Sequence, residues 1–146
     1  MNKAVLVVED EVGVRRALRR LFADRGLRTI EAGNGREAIQ RLTEETPGAI
    51  VIDLLMPVMS GAELLKALRR NAFYRRIPTV VMTGALGSEG PGVGQLLGVP
   101  VIFKPNLERL PDILLNLIEK LSGSATPAPT TTEPTAIAAG DVEAVS

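Results

Sequence analysis

AIVIDLLMP, residues 49–57, decides the fold of this chain. The Ala-Ile-Val-Ile start is short, β-branched and without a polar position. That pattern marks a strand buried on both faces of a parallel sheet, and the strand is expected over Ala49–Leu54. It ends in a carboxylate, Asp53, just before a turn at Met56-Pro57. Two other runs end the same way: AVLVVED (4–10) at Glu9-Asp10, and VIFKP (101–105) at Lys104-Pro105. Parallel strands line up their carboxyl ends along one edge, where ligands bind. Two acids, a third acid and a lysine are therefore expected in one crevice, a setting for a divalent cation and a phosphoryl group.

Outward from these runs, strands and helices alternate. Ala4–Val8 is the first strand, and Glu11–Arg25 carries Val14, Ala17, Leu18, Leu21 and Phe22 at helical spacing, with Gly26 as the stop. Leu27–Ala32 is more polar, as an edge strand would be. Asn34 can cap a helix that turns Ala38, Ile39 and Leu42 inward. Ser60 and Glu63 form a capping box for a helix carrying Leu64, Leu65 and Leu68. Strands Thr79–Thr83 and Val99–Phe103 follow, then a last helix with Leu110, Ile113, Leu114, Leu117, Ile118 and Leu121, and with Pro111 in its first turn. Five such repeats argue a doubly wound α/β fold. The fourth helix is weak: glycines at 84, 87, 90, 92, 94 and 98 leave room for a short one near Val93–Leu97. Residues 1–121 are expected to form one domain, and the Pro-, Thr- and Ala-rich residues 122–146 a disordered tail.

Composition excludes several chemistries. The chain of 146 residues has no cysteine and no histidine, which removes disulfides, thiolate or imidazole metal sites and Ser-His nucleophile systems. Seventeen basic residues balance seventeen acidic ones, so net charge argues for neither nucleic acid nor membrane. No apolar run approaches the roughly 20 residues of a membrane span, and the start is too quickly acidic for a signal peptide. A cytoplasmic protein is the expectation.

VVEDE (7–11), AGNGREAI (32–39), VIDLLMPVMSG (51–61), RIPTVVMTG (76–84) and FKP (103–105) together resemble the receiver domain of bacterial two-component response regulators, including the stand-alone chemotaxis type. The resemblance covers residues 3–121 and implies a flavodoxin-like five-stranded sheet in the order 2-1-3-4-5. It implies that Asp53 is the phosphoryl acceptor. Glu9, Asp10, Asp53 and the backbone carbonyl of Leu55 would hold Mg²⁺, while Thr83 and Lys104 would contact the phosphoryl oxygens. It also makes Pro105 a candidate for a cis peptide bond. The donor would be a histidine kinase or phosphotransfer protein, and the phosphorylated form would bind another protein. The chain would itself be no enzyme beyond its own phosphorylation and slow dephosphorylation. A carboxylate nucleophile needs no general base, so the missing histidine is no handicap.

Two departures from the family pattern stand out. The position three before Lys104 is Val101 where an aromatic is usual, so switching by a ring flip is not expected. Leu55 and Ala85 carry no group to orient an attacking water, so a long-lived acyl phosphate is expected. Arg15, Arg16 and Arg19, with Arg20, make a basic face on the first helix; it is either a solvated surface or the place where the kinase docks. A single-domain regulator, monomeric or weakly dimeric, is the main reading. A receiver-like adaptor that binds partners without phosphorylation is the alternative.

Overall fold

The computed structural model describes residues 4–54, 56, 58–84 and 98–123. β1 (Ala4–Val8), β2 (Arg28–Ala32), β3 (Ala49–Asp53), β4 (Thr79–Thr83) and β5 (Val101–Phe103) form one parallel sheet in the order β2-β1-β3-β4-β5. Every residue of β1 and β3 is buried, as expected of central strands covered on both faces. β2 is an edge strand with only Ala32 fully buried.

Strand alternation sorts the core into two halves. Leu6, Val8, Ile50 and Ile52 pack with Leu42 of α2 (Gly35–Glu44), with Leu64, Leu65 and Leu68 of α3 (Gly61–Arg70), and with Tyr74 of a 3-10 turn. Val5, Val7 and Val51 pack instead with Leu18 and Phe22 of α1 (Val12–Ala23) and with Leu110, Leu114 and Ile118 of α4 (Leu110–Gly123). The expected caps form: Asn34 Oδ1 accepts the Glu37 N–H at 2.9 Å, and Ser60 Oγ accepts the Glu63 N–H at 3.2 Å. Gly26, at φ +74°, ends the turn after α1 in the left-handed region that glycine tolerates.

Some expectations shift. α1 begins at Val12, because Glu11 keeps an extended backbone as its N-cap. Ala17, counted on the apolar stripe, is exposed, and Leu18 and Phe22 carry the burial. β5 starts at Val101 instead of Val99: Gly98 sits at φ +70°, and Pro100, lacking an N–H, joins β4 only through its carbonyl to the Val81 N–H at 2.9 Å. α4 runs to Gly123, two residues past the expected end of the domain. The short helix expected near Val93–Leu97 and the tail from residue 124 lie outside the described residues. No helix among the described residues is long and apolar enough to cross a membrane.

One core defect carries a prediction. The Thr29 hydroxyl on β2 is buried without a hydrogen-bond partner. Valine has the same branched shape and no group to desolvate. Thr29→Val is therefore expected to stabilise the fold by about 1 kcal/mol, read as a raised urea midpoint at unchanged slope.

Candidate phosphoryl-acceptor site

Register assembles the site. Val8 pairs with Ile52 across β1 and β3, so the next residues, Glu9 and Asp53, stand level at the carboxyl edge of the sheet. Adjacent strands lie about 4.8 Å apart, which forces the two acids together. Glu9 is fully buried and Asp53 is 2% exposed, while Asp10 faces solvent. Glu9, Asp10 and Asp53 can each turn a carboxylate oxygen to a common point, with those atoms all within 4.8 Å of one another.

Lys104 arrives from the other end of the chain, in the 3-10 turn that follows β5. Its Nζ lies 3.1 Å from Glu9 Oε2, 3.3 Å from Asp53 Oδ2 and 3.9 Å from Glu11 Oε1. The resemblance pairs this lysine with Asp53; the structure shows it gripping Glu9 as well. Burial works against its charge, but Glu9 and Asp53 outweigh that and raise its pKa. Its stem passes Gly84, where a methyl group would sit 3.7 Å from Lys104 Cδ. Thr83, 4% exposed, ends β4 and pairs with Phe103 of β5.

Glu9 is the strained member. Burial, and then the charge of Asp53, push its carboxyl up to about 7, against the opposing pull of the Glu11 N–H and Lys104. Glu9 Oε1 accepts the Glu11 N–H at 3.1 Å, so Glu9 also serves the start of α1. Its Oε2 meets the Lys104 ammonium at 3.1 Å and accepts no other hydrogen bond among the described residues. Three carboxylates with oxygens within 4.8 Å of one another, two of them buried and sharing a single ammonium, are a donor set suited to a hard cation such as Mg²⁺. Leu55, whose carbonyl the resemblance adds to that set, lies outside the described residues, as does Ala85. No cis peptide bond occurs among the described residues, which gives no support to one before Pro105.

α3 is docked tightly beneath Asp53. The Gly61 N–H donates to the Leu54 carbonyl at 2.9 Å, and the Leu54 N–H to the Met82 carbonyl at 3.0 Å. A Cβ on Gly61 would lie 2.0 Å from the Asp53 carbonyl oxygen. Gly61 is thus a contact residue and not simply a turn former. Val58, in the loop between, is 73% exposed at φ +72°, a region a β-branched residue rarely enters.

The basic face of α1 divides. Arg15 is half-buried: its Nε lies 3.1 Å from Glu31 Oε1, and its Nη1 donates to the Glu9 carbonyl at 2.7 Å. Arg19 reaches Glu31 Oε2 at 3.4 Å from an exposed position. Arg16 and Arg20 are exposed. Neither the Arg15–Glu9 contact nor the close approach of Gly61 has a marker in the apolar pattern, since both depend on neighbours distant in the chain or on backbone atoms.

Comparison with known proteins agrees with this geometry. The model of the response regulator receiver domain matches residues 5–107. Sporulation initiation phosphotransferase F of Bacillus subtilis is 35% identical over 83 residues, 57% of this chain and 65% of that protein. The phosphate regulon transcriptional regulatory protein PhoB of Klebsiella pneumoniae is 36% identical over 61% of this chain but only 38% of its own length. The chain thus spans less than two thirds of these relatives. Among solved structures, the chemotaxis protein CheY4 of Vibrio cholerae superposes with a TM-score of 0.67 at 28% identity, covering 83% of this chain and 99% of that one. With the buried acids, the lysine across from them and the 2-1-3-4-5 sheet all in place, this chain belongs to the response regulator receiver domain family of two-component systems.

Proposed function

We propose that Asp53 accepts a phosphoryl group from a histidine kinase or phosphotransfer protein, with Mg²⁺ held by Glu9, Asp10, Asp53 and the carbonyl of Leu55, and that phosphorylation switches protein partners. The observation that carries this reading is the convergence of three carboxylates and Lys104 at one sheet edge. A relative named for phosphotransfer supports it. We place its action in the cytoplasm.

In the transfer, an Asp53 carboxylate oxygen attacks phosphorus in line with the phosphoramidate bond of the donor histidine. The O–P bond forms as the P–N bond breaks, and the imidazole leaves. Bound Mg²⁺ would offset carboxylate repulsion and neutralise charge on the moving phosphoryl group. Lys104, already within 3.3 Å of Asp53 Oδ2, holds the nucleophile and is placed to follow the charge onto the phosphoryl oxygens. Thr83, buried at the end of β4, would offer its hydroxyl to the phosphoryl oxygens.

Intact mass after incubation with a small acyl-phosphate donor and Mg²⁺ tests this. The wild type is expected to gain one phosphoryl group and Asp53→Asn none. A wild type with no adduct and no Mg²⁺ binding would instead support the adaptor that works without phosphorylation.

A further inference from the structure

We infer that Arg15 is a positioning residue for the acidic site and not a docking cation: its guanidinium locks the Glu9–Asp10 peptide, and so sets where the metal-binding carboxylates stand. The inference rests on the proposed function and deepens it.

Glu9 is held from both sides of its backbone. Its N–H donates to the Ala32 carbonyl on β2 at 3.0 Å, and its carbonyl accepts from Arg15 Nη1 at 2.7 Å. That carbonyl belongs to the peptide joining Glu9 to Asp10. Fixing its direction fixes the plane from which Asp10 departs, because a peptide is rigid. Asp10 is exposed and starts no regular element, so local structure alone does not hold it.

Arg15 is itself clamped. Its Nε lies 3.1 Å from Glu31 Oε1, and its side chain is 18% exposed. Arg19 shares the same carboxylate at 3.4 Å, and Arg41 Nε donates to the Glu31 carbonyl at 3.2 Å. Gly33 completes the seat: a Cβ there would stand 3.6 Å from Arg15 Nη1. The planar fork of arginine reaches a carboxylate with one nitrogen and a carbonyl with another. Lysine, a single point donor, cannot span both.

The sign of the mutational effect separates positioning from charge. Arg15 is a cation close to a cation site, so deleting its charge alone would tighten divalent binding. Loss of positioning weakens it. Arg15→Gln is therefore expected to weaken Mg²⁺ binding about tenfold or more, the range seen when groups supporting a metal's ligands are removed. Calorimetry reads that affinity with no phosphoryl donor present. Arg15→Lys is expected to fail to restore it, and Arg16→Gln to leave it unchanged. Phosphorylation by a small acyl-phosphate donor should fall with Arg15→Gln, although no kinase takes part. If Arg15→Gln does not fold, Arg15→Lys serves in its place: it keeps the positive charge near the site, so weakened Mg²⁺ binding in it reports lost positioning alone. Mg²⁺ affinity unchanged or tighter in a folded Arg15→Gln overturns the inference, as does full restoration by Arg15→Lys. If the wild type binds no Mg²⁺, the proposed function fails, and the positioning claim is then read from amide exchange. Arg15→Gln must speed exchange at Asp10 at unchanged melting temperature, and unchanged exchange refutes the claim.

Discussion

Gly61→Ala is expected to lower the melting temperature by about 10 °C or more, corresponding to about 3 kcal/mol. The added methyl would lie 2.0 Å from the Asp53 carbonyl oxygen, 2.7 Å from its carbon and 2.8 Å from Ile52 Cγ2. Two of these are backbone atoms of a central strand, so no side-chain rotation relieves the overlap. Either β3 or the start of α3 must move, which breaks the Gly61–Leu54 hydrogen bond and displaces Asp53. Two other glycines set the scale. At Gly35 the clash falls on the Met59 side chain, 2.4 Å away at the sulfur, which can repack at a cost of about 1–2 kcal/mol. At Gly13 in α1 nothing lies within 4 Å, so Gly13→Ala should stabilise by about 1 kcal/mol. Thermal melts of the three variants check the order. A Gly61→Ala melting temperature near that of the wild type would show that α3 is not pressed against β3.

The second large effect is on pH. Glu9 titrates at about 7 in the fold against an ordinary value of 4.5. The folded protein therefore holds a proton that the unfolded chain has released. This contribution to stability is fully present below about pH 4.5 and is lost as pH rises through 7. It amounts to about 3 kcal/mol for a shift of that size. No histidine in the chain shares the window. Without Mg²⁺, the unfolding free energy is expected to fall between pH 5 and pH 8, and Glu9→Gln should remove most of the slope. Asp53→Asn should remove part of it, because the Asp53 charge is the second cause of the shift after burial. Urea titrations at four pH values measure this, and a flat wild-type profile would contradict it. On the proposed function, Mg²⁺ displaces the Glu9 proton, so its affinity should rise with pH up to about 7.

Most of the scaffold was legible because apolar runs record burial directly. β1, β3 and β4 needed nothing beyond the Val/Ile pattern, and Asn34 and Ser60 announced their helices through chemistry that acts within four residues. Legibility ended where position depends on partners. The start of β5 is decided by Gly98 and Pro100 against β4, not by the hydrophobicity of Val99. Ala17 matched the helical stripe yet faces solvent, because two larger side chains, Leu18 and Phe22, fill that part of the core. The site residues were named from their places at strand ends and from family resemblance. The double grip of Lys104 on Glu9 and Asp53, and the inward turn of Arg15, needed coordinates. Both link residues at very different places in the chain through side-chain reach, which periodicity does not encode.

The lysine tether also dictates an order of arrival. Once Glu9 has given up its proton above about pH 7, three carboxylates and one ammonium bring the crevice to minus two. An anionic donor approaching first meets like charge with little water to screen it, whereas a dication brings the sum to zero and lets the ammonium swing toward the newcomer. On the proposed function, queueing follows from these electrostatics: the ion would enter ahead of the phosphoryl group, and a protein kept in chelator should meet its donor behind a closed electrical door.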